Sequence, residues 1–393
     1  MKSIAIIGAG PAGLMAGYQL LKKGHSVSFY DHKKAPGRKF LVAGHGGFNL
    51  THSNESSIFQ DKYNHDYIRR AVVDFTNDDT IQFLKEIGIP TFVGSSGKIF
   101  PEKGIKPIEV LSAWISALEN MGGKFYFEYK LIDFCEIKPK NTITVELMES
   151  KSEESMSVEY DSIILALGGA SWKKTGSTAH WVDLFKSKAI DLAAFESSNA
   201  GMNVCNWKKE NNGIRLKNCS VRIGKLVRKG EVLFTEYGLE GAPIYALNDL
   251  IRNNQTNIYI DLKPMFESHR ILAILQKKNW NRSKQLTELK LSKEIIQYLK
   301  ATLSKEMFLD DEFMAKTIKN LPFEVESLRP IDEAISTVGG LAMHEINPTF
   351  ELTKMPHCYC IGEMLDWDAP TGGYLLQACF STGFVAAEAI ANQ

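Results

Sequence analysis

The sequence predicts an α/β protein whose nucleotide-binding domain is assembled from both chain ends, with a β unit and a helical unit inserted between them. Three observations carry this. A glycine-rich turn at residues 8–13 stands between a short apolar run and a helical pattern. A second group of glycines opens an apolar helix near residue 372. Between them the composition shifts twice: residues 190–262 read as short strands, and 264–320 as Lys/Glu-rich helix free of glycine.

The elements follow in order. Ser3 to Ile7 (SIAII) is a continuous apolar run, as a buried parallel strand requires. From Ala12 to Lys23, Leu14, Gly17, Tyr18 and Leu21 recur at helical spacing, and Gly24 sits where a helix C-cap belongs. Ser26 to Tyr30 (SVSFY) is the next strand, completing β-α-β in thirty residues. Lys33 to Asn54 reads as a long functional loop rich in Gly and Lys. Residues 66–88 and 107–121 are amphipathic helices, and Thr142–Leu147 with Ser157–Tyr160 form a hairpin around SKSEES. Ile163–Leu167 (IILAL) is another buried strand, ending in Gly168-Gly169. In the inserted region SVRIGKLV, EVLFTEY and NIYIDL are strand-like, while KEIIQYLKATL and DDEFMAKTIKNL are helical.

A chain of 393 residues exceeds what one core usually organises, so two or three domains are expected. Lys+Arg and Asp+Glu both total 46, so no net field favours nucleic acid or an anionic membrane. The six cysteines (135, 205, 219, 358, 360 and 379) show no CxxC pair and no metal-like spacing, which points to reduced thiols and no metal. Cys358 and Cys360 fall on one strand face and suit packing. Glycines and Pro11 interrupt the apolar N-terminus, so it is not read as a signal peptide, and no bilayer-spanning run is expected. The protein is read as cytoplasmic.

Gly8-Ala-Gly10-Pro-Ala-Gly13 is GxGxxG in its required setting, after a strand and opening a helix. Gly8 permits the turn, Gly10 admits a pyrophosphate, and Gly13 lets helix and strand pack closely, with Pro11 and Ala12 at the helix start. The helix N-terminus offers unpaired N–H groups and a positive dipole end. Asp31, 18 residues after Gly13, is placed to accept ribose hydroxyl hydrogens. Arg38 and Lys39 are candidates for the ribose or phosphates; Gly44, Gly46 and Asn49 belong to a loop passing near a flat ring system. Gly168 and Gly169 form a third glycine turn. Near the C-terminus, Gly362, Glu363 and Asp366 follow a short strand, and Gly372, Gly373 and Tyr374 open the last helix, with Gln377 one turn in. That free helix end suits negative charge on a reduced isoalloxazine. An N-terminal dinucleotide turn paired with a C-terminal GE…TGG helix is a combination of FAD folds. The predicted cofactor is therefore non-covalent FAD.

The motifs GAGPAG (8–13), GRKFLVAGHGGFNLTHS (37–53), LALGGASWKKTGS (165–177), FTEYGLEGAPIYAL (234–247), STVGGLAMHEINPTFELTKMP (336–356) and GEMLDWDAPTGGYLLQACFSTG (362–383) cover most of the chain. On them the sequence resembles the BaiN/RdsA-type (YhiN-like) family of NAD(P)/FAD-dependent oxidoreductases. The resemblance implies a Rossmann-like FAD domain (1–190 and 333–393), a β-barrel-like insert (191–263 and 321–332) and a small helical domain (264–320). The family commonly has Arg-Cys before the Asn of the second motif; here Gly47-Phe48 precedes Asn49, so any role of that Arg or Cys is absent.

Only one dinucleotide fingerprint is present, and Gly168-Gly169-Ala-Ser-Trp172 is not a second. NAD(P)H therefore docks transiently if it is the electron donor. The favoured reading is a reductase moving hydride from NAD(P)H through FAD to an activated C=C or similar acceptor, with a small molecule as the expected substrate. Alternatives are an amine or amino-ketone oxidase using O₂, a uracil-reducing RNA-modifying flavoenzyme, and a flavin-bound sensor. Arg222, Lys225, Arg228 and Lys229, with Lys208 and Lys209, are the cations an RNA partner would use. Acid/base candidates are Glu236 and Tyr237, with Glu240, His45 and His180 behind them.

Overall fold

The computed structural model describes residues 1–42, 48–137 and 140–393. Two compact units result: residues 1–196 with 336–393, and residues 197–335.

The first unit is organised by five parallel strands, β1 (Ser3–Ile7), β2 (Ser26–Asp31), β3 (Lys124–Phe127), β4 (Ser162–Leu165) and β5 (Cys358–Cys360), in the order β5-β4-β1-β2-β3. Parallel strands need a crossover, and helix α1 (Pro11–Lys22) supplies the one from β1 to β2. Ile4, Ala5 and Ile6 of β1 and Ile163, Ile164 and Leu165 of β4 are fully buried, as expected of central strands covered on both faces. The stretch read as one long loop contains the short helix α2 (Arg38–Val42) and a two-residue strand, Thr51–His52. Phe48, at the position where the family commonly has Cys, is buried edge-on against Phe40, with ring centroids 4.9 Å apart. Residues 66–88 form two helices, Asp66–Asp74 and Asn77–Glu86; a capping box between Thr76 and Asp79 starts the second. Helix Pro107–Asn120 begins with proline at its first position, where the missing N–H costs nothing. The expected hairpin is part of a three-stranded antiparallel sheet, Tyr129–Ile137, Thr142–Glu149 and Ser155–Tyr160.

The last helix is α3 (Tyr374–Ala391). By length and composition it is apolar enough to cross a membrane. Its residues from Ala378 to Ile390 lie largely in the core, and a Cβ on Gly383 would fall 2.4 Å from the Ala12 carbonyl oxygen of α1. A helix apolar nearly all round is one packed on most of its surface. All six cysteines are free, and Cys358 and Cys360 are buried.

The second unit is a closed barrel of Met202–Val204, Gly238–Glu240, Leu226–Phe234, Arg215–Ile223, Asn257–Asp261 and Leu321–Leu328. Five helices between Ser268 and Lys319 separate its last two strands in sequence. Asn281, Ser292, Ser304 and Asp310 cap four of them with side-chain oxygens. Leu286, Leu299 and Met314 of these helices share one buried cluster with Val221, Ile258 and Phe323 of the barrel.

Candidate dinucleotide site

The glycines after β1 do three different jobs. Gly8 turns the chain at φ +108°, and its N–H donates to the Tyr30 carbonyl at 2.8 Å. A Cβ there would lie 2.2 Å from the Ala166 carbonyl oxygen. Gly13 is squeezed as well: a Cβ would lie 2.2 Å from the Gly8 carbonyl oxygen and 3.0 Å from an Ile6 methyl. Gly10 has open space instead, with nothing within 4 Å of where a Cβ would stand. It precedes α1 in extended backbone, with no side-chain cap and no acidic residue in the first turn. The first-turn N–H groups have no partner inside the helix and carry its positive end.

A cavity of about 460 Å³ opens over this helix start, within the range of small-ligand sites. Among the expected residues it brings together Gly8, Gly10, Pro11 and Ala12 from the turn. Asp31, Arg38 and Lys39 line it too, as do Gly168, Gly362 and Glu363. The Asp31 carboxylate accepts the Ala9 N–H at 3.0 Å and the Lys33 N–H at 2.8 Å. A carboxylate has about four lone-pair sites, so acceptor capacity remains for ribose hydroxyls. Arg38 is exposed and makes no ion pair among the described residues. Lys39 differs from its neighbour: its ammonium bonds both Glu363 oxygens and Ser171, and so is not free for a phosphate. The open face of Gly10, a helix start with no side-chain cap, a ribose-type acceptor and an exposed guanidinium fit the adenosine diphosphate portion of FAD.

Other expected residues lie elsewhere. Gly13 and Gly169 are packing positions; a Cβ on Gly169 would be 2.3 Å from Thr337 Oγ1. Asp366 accepts the Gly339 N–H at 2.9 Å. Asn49, Gly372, Gly373 and Tyr374 do not line this cavity. Tyr374 is buried with its ring stacked on His52 at 5.2 Å. The structure does not bring Gln377 to the cavity. Its Oε1 accepts from Thr51 Oγ1 (2.7 Å) and Thr80 Oγ1 (2.8 Å), and its Nε2 donates to the Phe75 and Thr76 carbonyls, so a buried amide is satisfied inside the fold. Gly44, His45, Gly46 and Gly47 lie outside the described residues. Glu236 and Tyr237 belong to the second unit and are not among the cavity's lining. Tyr237 donates to Glu240, and the Arg329 guanidinium lies 4.0 Å over its ring. Burial and Glu240 hold the Tyr237 phenol well above its ordinary pKa.

Sequence reasoning missed two parts of the lining: Thr175–Ala179 with Trp181, and Tyr129–Leu131. Trp181 donates its indole N–H to the Gly168 carbonyl at 3.0 Å and so anchors the first of these against the third glycine turn. The small polar run Thr175-Gly-Ser-Thr178 was a usable signal. His180, noted above as an acid/base candidate, is part of the lining. Cys379 lines the cavity beside Glu363, and burial pushes its thiol up to about 12.

Fold and cavity are those of a Rossmann-type dinucleotide-binding protein, and with the family and relatives they define an FAD-dependent oxidoreductase. The chain belongs to the HI0933-like family, whose Rossmann-domain description matches residues 2–389. The ribosomal RNA dihydrouridine synthase of Haemophilus influenzae is 25% identical over 404 residues, covering 99% of this chain and 98% of the relative. The 3-dehydro-bile acid delta(4,6)-reductase of Clostridium scindens is 23% identical over 421 residues, covering 100% of both. The 3-ketosteroid-delta4-(5alpha)-dehydrogenase of Rhodococcus jostii RHA1, solved with 4-androstene-3,17-dione, shares the fold: TM-score 0.53, 11% identity, 100% of this chain and 97% of that one.

Proposed function

We propose that this oxidoreductase is a reductase that takes hydride from NAD(P)H, docked transiently, and delivers it to an activated C=C bond of a small molecule. The observation that carries the reading is the cavity over the bare start of α1, with Gly10 open, Asp31 holding spare acceptor capacity and Arg38 exposed with no ion pair among the described residues. Bound FAD supplies the two-electron carrier. The chain's residues bind and orient it: the first-turn N–H groups of α1 and Arg38 meet the diphosphate, and Asp31 accepts ribose hydroxyl hydrogens. Gly372, Gly373 and Tyr374, at the start of α3, are our candidates for the isoalloxazine end. The names of both relatives describe the addition of two hydrogens across a C=C bond, which supports the reaction class. The balanced charge of the chain, 46 against 46, supports a small acceptor over a polyanion.

A second reading, RNA as the acceptor, rests on the hairpin Arg215–Phe234. There Lys225, Arg228 and Lys229 are exposed and make no ion pair among the described residues. The test is anaerobic reduction of the purified yellow protein with NADH or NADPH, followed by reoxidation with conjugated enones or with uridine-containing RNA. Reoxidation by an enone at a rate above that by O₂ is the expected result. Reoxidation by O₂ alone with small amines as donors would overturn it.

A further inference from the structure

The two adjacent cations of the Gly37-Arg38-Lys39 segment are used differently, and the difference points to a role for Lys39. Its ammonium donates to Ser171 Oγ at 2.8 Å and to Glu363 Oε1 and Oε2 at 2.8 and 2.6 Å, which occupies all three of its protons. Both partners are largely withdrawn from water, with side-chain exposures of 27% and 16%. Glu363 follows Gly362, which turns at φ +74° and packs so closely on α1 that a Cβ would fall 2.8 Å from that of Ala12. Glu363 is thereby anchored next to a residue packed on the first turn of α1, and it lines the same cavity as Pro11 and Ala12. That end of the cavity is where an anion gains from the helix N-terminus. A bare carboxylate there repels a diphosphate through a medium of reduced dielectric.

We propose that Lys39 is a positioning residue for the dinucleotide: it neutralises Glu363 and pins the Gly362 turn, so that a diphosphate binds beside a carboxylate without meeting its charge. The proposal rests on the FAD reading and deepens it. Arg38, exposed and with no ion pair among the described residues, is left to meet the diphosphate directly.

The experiment measures the FAD dissociation constant of stripped protein by flavin fluorescence, and the thermal midpoint of the same apoprotein, for wild type, Lys39→Met, Lys39→Arg, Glu363→Gln and the double variant Lys39→Met/Glu363→Gln. Lys39→Met is expected to bind FAD about tenfold more weakly or worse, the order of one uncompensated charge near a dianion. Lys39→Arg is expected to stay near wild type. The double variant is expected to recover most of the lost affinity, because no charge is left to compensate. A purely structural role lowers the apo midpoint in the single and double variants alike and gives no recovery. Should Lys39→Met not fold, Lys39→Gln keeps a hydrogen-bond donor to Glu363 while removing the charge, and the same loss is expected. Wild type that binds FAD alongside a Lys39→Met variant that binds it equally well, or a double variant no better than Lys39→Met, overturns the proposal alone. Wild type that binds no FAD overturns the dinucleotide reading and this proposal with it.

Discussion

Helices α1 and α3 both start just after glycines, yet the glycines serve opposite ends. Before α1, Gly10 has extended backbone and empty space where a side chain would stand. Before α3, Gly373 turns at φ +101°, and a Cβ there would fall 2.5 Å from the backbone of Thr51. Beside Gly10 there is room for something from outside the chain; on the Cβ side of Gly373 stands the Thr51 backbone. One turn further along α3, Gln377 repeats the lesson, because its amide is consumed by Thr51, Thr80, Phe75 and Thr76. A glycine marks ligand space only where nothing of the protein already occupies it.

The comparison breaks most visibly at Gly373. Gly373→Ala adds a methyl into backbone at a φ that L residues rarely adopt, and should cost about 3 kcal/mol of stability. Chemical denaturation reads this directly; an unchanged midpoint combined with lost FAD would show that α3 also keeps its start open for the cofactor. Gln377→Leu comes next. It removes the acceptor of the buried Thr51 hydroxyl and one of the donors to each of the Phe75 and Thr76 carbonyls, for a loss of about 2 kcal/mol, and leaves the flavin spectrum unshifted. A shifted spectrum with normal stability would restore Gln377 to the flavin edge. Gly10→Val sharpens the contrast from the other side: the apoprotein should stay within about 0.5 kcal/mol of wild type, while FAD affinity falls about tenfold because the side chain takes the diphosphate's space. Smallest is a pH effect at Cys379. With its thiol pushed up to about 12 it stays protonated at neutral pH, so alkylation is slow and climbs about tenfold per pH unit below that value. Peptide mapping should find exposed Cys135 modified well before it.

The β-α-β unit was legible because its signals are local: SIAII is apolar since β1 is covered on both faces, and Gly8, Gly10 and Gly13 lie within six residues. Asp31 was legible for the same reason, one strand further on. What stayed hidden is what distance hides. Lys39 and Glu363 are 324 positions apart, and nothing near either residue announces the other. Residues 175–181 reach the cavity through two left-handed turns, Gly176 at φ +113° and Ala179 at φ +53°, and no glycine advertises the second. Helix α2 is a single turn or so, too short for a periodic pattern to emerge from the surrounding glycines. Gln377 misled because a polar side chain at a helix start has the same appearance whether it faces a ligand or two threonines.

The order of strands in the sheet carries a consequence for synthesis. β5 and α3 are the neighbours of β4 and α1, yet both are made after the whole barrel unit, residues 197–335. Until they emerge the nascent chain exposes an unpaired edge of β4 and the apolar flank of α1. The wall carrying Gly362 and Glu363 is therefore the last part of the cavity to form. A nascent chain exposed only as far as residue 335 holds every barrel strand and an unfinished vessel.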